Sequence, residues 1–179
     1  MNLYNRLLLL VSALVLSACA TIIPKEHLIP KDQLVGTLQK QFPLQWDKAA
    51  GLLGIAIDQP QLTMVPEQNR VRLHGRFLAH VPLLAIEGTF DCSSALRYDT
   101  KLRAIFLQGV TLEALQLKQG KNLAATLRSE ISRMLNSYAA DHPLYRFKPD
   151  ELVVLGVDID VDGIVVTPDG IVLKLRAKQ

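Results

Sequence analysis

The stretch Arg70-Val71-Arg72-Leu73-His74-Gly75-Arg76-Phe77-Leu78-Ala79-His80-Val81 decides the fold class. Val71, Leu73, Phe77, Ala79 and Val81 share one parity, with Gly75 among them, while Arg70, Arg72, His74, Arg76 and His80 share the other. Successive side chains of a strand point to opposite faces, so this two-residue period marks a strand with one buried and one wet face. A slip of one residue would turn the charged set into the core, which fixes the register.

The period extends in both directions. Leu83 to Cys92, Ala95 to Ala104 and Ile105 to Leu117 read as further strands, and a parity slip near Leu107 to Thr111 predicts a β-bulge. Upstream, Leu53, Ile55 and Ile57 alternate with Gly54, Ala56 and Asp58; Pro60 interrupts, and Leu62 to Val65 resumes. The period then becomes helical. Leu123, Leu127, Ile131, Met134, Leu135 and Tyr138 form one stripe of a long helix over Lys121 to Tyr138. A shorter helix over Lys31 to Phe42 carries Leu34, Val35, Leu38 and Phe42 on one face and stops at Pro43. At the C-terminal end, Val157, Ile159 and Val161 alternate with Asp158, Asp160 and Asp162. Pro168-Asp169-Gly170 then supplies the turn of a closing hairpin. The expected fold is α+β: a strongly curved antiparallel sheet wrapped on one long helix, with a shorter N-terminal helix.

The composition is 49% apolar and 21% charged, which is a globular balance. The net charge is +3, of which Arg6 supplies one, and nothing in so small an excess points to nucleic acid. Residues 1–18 have the form of an export leader, with one cation (Arg6), an apolar run Leu7 to Leu16 and small residues before Cys19. The run is too short to span a bilayer, which takes roughly 20 residues. Leu16-Ser17-Ala18-Cys19 resembles the bacterial lipobox, which implies cleavage before Cys19 and acylation of its thiol. Residues 19–30 are then a tether, residues 31–179 a single domain, and the membrane a partner through the Cys19 anchor. Ala20 after the cysteine implies sorting to the outer membrane, facing the periplasm. With Cys19 acylated, Cys92 has no partner for a disulfide within the chain and reads as a buried small hydrophobe.

Candidate sites are few. Arg70, Arg72 and Arg76 place three fixed cations along one strand face, a pattern suited to anionic head groups or a membrane surface. Asp158-x-Asp160-x-Asp162-Gly163 matches the first half of a calcium loop, but Ile159, Val161 and the run from Ile164 give it the pattern of a strand. No catalytic or cofactor motif is present, and no cofactor or catalytic residue is expected. The readings are a non-enzymatic binding protein or an envelope assembly or protein-interaction module with a closed core.

The order of lipobox, short tether, helix ending Leu38-x-x-x-Phe42-Pro43, strand meander, long helix and terminal hairpin resembles the YceB-like periplasmic lipoproteins. That family is similar in fold to the tubular lipid-binding (TULIP) superfamily, in which a curved sheet wraps a long helix and acyl chains lie between them. The resemblance implies a slot for a lipid, a fatty acid or another hydrophobic ligand, lined by Leu84, Ile86, Phe90, Leu127, Ile131 and Met134.

Overall fold

The computed structural model describes residues 25–48, 53–154 and 157–177. Residues 1–24, on which the export-leader and lipobox readings with Cys19 fall, lie outside the described residues. In chain order the elements are β1 (Glu26–Pro30), α1 (Lys31–Gln41), β2 (Leu44–Lys48), β3 (Leu53–Val65), β4 (Arg70–Val81), β5 (Leu84–Asp99) and β6 (Ala104–Leu117). Then come α2 (Ala124–Asp141), β7 (Tyr145–Arg146), β8 (Val153–Val154), β9 (Val157–Thr167) and β10 (Gly170–Ala177). Two antiparallel sheets result, one of six strands in the order β2-β3-β4-β5-β6-β7, the other of four in the order β1-β10-β9-β8.

The parity of β4 sets the six-stranded sheet. Its apolar residues join cross-strand rows such as Ile55–Ala79–Ile86 and Ile57–Phe77–Gly88–Leu117. Phe77 lies directly opposite Gly88, and Phe90 directly opposite Gly75. Each ring covers the place that the facing glycine leaves without a side chain, with ring atoms 2.6 and 2.7 Å from where a Cβ would stand. The expected bulge is present: pairing shifts between Ser93 and Ala95, opposite Gly109, whose φ is +63°.

The four-stranded sheet joins the same core through Ile29, Val166, Ile171 and Leu173, each at most 2% exposed. Asn69, in the turn between β3 and β4, fastens the two sheets. Its Nδ2 donates to the Ile164 carbonyl (3.1 Å), and its Oδ1 accepts from the Val166 N–H (2.7 Å). Asparagine suits the place because its φ of 50° lies in the left-handed region, which Asn tolerates better than most residues.

Three expectations need correction. First, a single sheet wrapped on a long helix is not the architecture: strands dominate, in two sheets, and α2 lies along β6. The physical reason is the edge of β6. The two-residue β7 pairs only with Ala104 and Ile105, which leaves later β6 backbone groups open. Side chains of α2 serve that edge: Arg128 donates to the Leu112 carbonyl (3.0 Å) and Asn136 to the Val110 carbonyl (3.1 Å). Covering an edge with a helix protects it from pairing with another chain. Second, the C-terminal hairpin does not extend the meander but forms its own sheet with β1. Third, the fold begins before residue 31, because Glu26–Pro30, read as tether, pairs with Gly170–Lys174. Pro30 closes that strand, at an end where its missing N–H costs little.

Cys92 is 3% exposed, and burial pushes its thiol from 9.0 up to about 12. In the folded state it therefore holds its proton where the unfolded chain releases it. The unfolded state binds fewer protons between about pH 9 and 12, so this group's contribution to stability falls as pH rises through that window. Cys92 is expected to resist a thiol reagent at neutral pH until the chain is unfolded in denaturant, as a timed absorbance assay would show.

Candidate functional site

The wet face of the six-stranded sheet carries a groove of about 600 Å³ that crosses from β2 to the end of β6. Its position follows from the register. One row runs Gln45–Ala56–Leu78–Glu87, the next Asp58–Arg76–Thr89–Gln116, all on the parity opposite the core. Ala56 and Thr89 are short, so the floor sinks between longer neighbours, and Leu78 lies half-buried within it. Pro43, between α1 and β2, forms part of the rim, and Phe77 and Leu117 reach the groove from the core side beside Gly88.

Two ion pairs border this floor. Arg76 Nε and Nη2 each lie 3.4 Å from an Asp58 carboxylate oxygen. Lys118 Nζ lies 2.5 Å from Glu87 Oε2, and that hydrogen bond, with the lysine charge, holds the Glu87 carboxyl below the usual carboxylate range. These side chains are about half exposed or more, so the pairs add little to stability. What they provide is a polar border of both signs around an apolar floor. Such a border can hydrogen-bond a charged or zwitterionic group while Ala56, Leu78 and Leu117 receive an apolar segment. The volume falls in the range of small-molecule sites, about 300–1,000 Å³.

The six residues expected to line a slot between sheet and helix divide five to one. Ile86, Phe90 and Ile131 are 0% exposed, Leu127 1% and Met134 2%, and all five belong to one packed core. A side chain facing a space wide enough for an alkyl chain would retain accessible surface. The recess found beside this core, lined by Leu38, Leu73, Cys92 and Leu144 among others, has about 10 Å³, room for roughly one water. Leu84 is elsewhere, 42% exposed at the tip of the β4–β5 hairpin.

The arginine stripe is placed on the wet face as expected, and its members are partnered across strands. Arg70 donates to Ser93 Oγ (3.1 Å) and to the Gly109 carbonyl (3.3 Å), and Arg72 Nε lies 3.4 Å from Glu113. His74 contacts Asp91 at 2.9 Å, and Arg76 serves the groove. The aspartates of β9 are taken up by arginines: Asp158 lies 4.0 Å from Arg103, while Asp160 and Asp162 share Arg176, each at 3.4 Å.

Apart from Arg76, the groove residues escaped the sequence reading because they come from five strands and meet only through register. One signal was available. On the polar parity of β4, Leu78 is the single apolar residue in a row otherwise made of Arg70, Arg72, His74, Arg76 and His80.

Residues 29–169 match the family described as "Protein of unknown function (DUF1439)". The chain belongs to the DUF1439 family. The matched span runs from the end of β1 to the turn before β10, so it contains both helices, the whole six-stranded sheet and every residue of the groove. No curated protein matches the chain.

Proposed function

We propose that this DUF1439 protein is a non-enzymatic binding protein of the bacterial envelope, anchored to the outer membrane through Cys19 and facing the periplasm. Its ligand is a lipid or another amphipathic molecule held in the groove of the six-stranded sheet. The observation that carries this reading is the 600 Å³ groove, apolar in its floor and charged at its border, on a sheet whose other face is solidly packed. The lipobox-like Leu16 to Cys19 and the resemblance to YceB-like periplasmic lipoproteins support the location. The closed core also favours a second reading, a protein-interaction module in which a partner segment fills the same groove.

The test is Leu78→Glu. This side chain is half-buried in the groove floor and absent from the core, so the variant keeps the fold. A fluorescent fatty acid titrated into the wild type is expected to bind, and the variant to bind about tenfold more weakly, because a carboxylate then displaces apolar contact worth roughly 1.5–3 kcal/mol. Equal affinity in both proteins would remove the groove as the site. Native mass spectrometry of the gently purified protein separates the readings: a lipid mass supports the first, a co-purifying peptide the second.

A further inference from the structure

The β4–β5 hairpin ends in Val81-Pro82-Leu83-Leu84, with Val81 paired to Leu84. Pro82 and Leu83 are thus the two central residues of a tight turn. Leu83 has φ +68°, the left-handed region where a turn ordinarily takes glycine or asparagine. It is also fully exposed, at 107%, and Leu84 beside it is 42% exposed. A glycine would relieve the backbone and remove the apolar surface together, yet the chain places leucine there. Strain and exposed apolar surface at one point are the signature of a contact made outside the fold.

We infer that this tip inserts into a lipid surface. It is convex and presents its leucines point first, with no recess of its own to receive a partner. Two backbone groups beside the leucines are provided for: Pro82 has no N–H to satisfy, and the Ala85 carbonyl accepts from the Gln119 side chain (2.6 Å). Unsatisfied backbone groups are what make burial in hydrocarbon costly. An unpaired cation at this end suits an anionic leaflet: Lys121, one residue beyond the Gly120 that sits against Ile86, is exposed and has no ion pair among the described residues.

The chain's entry point adds a geometric consequence. Lys25 lies beside Leu175, and His27 touches Phe147, whose N–H donates to the Arg103 carbonyl past the far end of β5. Between Tyr98, which also touches Phe147, and Leu84, β5 extends about 45 Å. Entry and tip therefore stand at opposite ends of β5, so the N-terminal segment and Leu83 would meet a membrane as separate points.

The full-length chain with Cys19→Ser, so that the introduced thiol is the accessible one, tests this independently of acylation and of the groove. An environment-sensitive nitrobenzoxadiazole label is placed at Leu83→Cys, or at Thr100→Cys at the opposite end, and mixed with phosphatidylglycerol–phosphatidylethanolamine vesicles carrying doxyl-labelled lipid. The label at 83 is expected to shift to the blue and to be quenched severalfold more than the label at 100, with a weaker response on phosphatidylcholine alone. No shift at 83, or equal quenching at both positions, would overturn the inference. A shift at 83 that needs envelope proteins and fails with lipid alone would assign the tip to a protein pocket and overturn it as well.

Discussion

Gly88→Ala is expected to lower the unfolding free energy by roughly 3 kcal/mol, the upper part of the range for overpacking a core. A Cβ at this position would stand 2.2 Å from the Gln116 carbonyl oxygen and 2.6 Å from two ring atoms of Phe77. The ring could turn, but the carbonyl belongs to β6 and is fixed by its pairing. Trimming the ring therefore does not rescue the change: Phe77→Ala costs about 3–5 kcal/mol by itself, and the double variant should be at least as unstable as either single one. Gly75 makes the informative contrast. Its added Cβ meets the Phe90 ring at 2.7 Å, while the nearest backbone atom, the Asp58 carbonyl oxygen, is at an ordinary 3.5 Å. Gly75→Ala combined with Phe90→Leu should thus recover part of what Gly75→Ala loses. Urea denaturation of the two pairs as double-mutant cycles reads both outcomes. If Gly88→Ala melts like the wild type, the close approach of β5 to β6 there is wrong.

The glycine–phenylalanine exchange also marks where sequence reasoning was adequate. Strand parity in β4 and β5 is a local property, written in Val71, Leu73, Phe77 and Ala79, and it correctly separates wet face from core. The bulge near Gly109 and the turn at Pro168-Asp169-Gly170 are local too, because each rests on backbone conformations that particular residues favour. Partner choice is not local. Nothing in Leu28 and Ile29 says that they pair with Val172 and Ile171, so neither the first strand nor the separate second sheet is legible in the sequence. The position of α2 depended likewise on a property of β6, its open edge, which becomes visible only once β7 proves two residues long. The groove shares this dependence. Ala56, Leu78, Thr89 and Gln116 are unremarkable in sequence and become a floor because register sets them side by side.

Ile131→Trp should separate a packed interior from a slot and is the second change with a large expected effect. Ile131 faces the core from the middle of α2 and is 0% exposed. Were alkyl chains to lie between helix and sheet here, an indole would fill their place, the fold would hold, and ligand binding would disappear. In a core already packed around Ile86, Phe90, Leu127 and Met134, the indole has nowhere to go. It must push α2 away from β6, where Arg128 and Asn136 hold it to the strand. The expected loss is about 3 kcal/mol, or roughly 6–12 °C in Tm for a chain of this size, read by calorimetry. Fatty-acid binding by the fraction still folded should match the wild type, because Leu78 lies on the opposite face of the sheet. The reverse pattern, an unchanged Tm with binding abolished, would move the ligand from the groove into the interior. Leu78→Glu and Ile131→Trp thus act on opposite faces of one sheet and carry opposite expectations, so that no single result satisfies both sites.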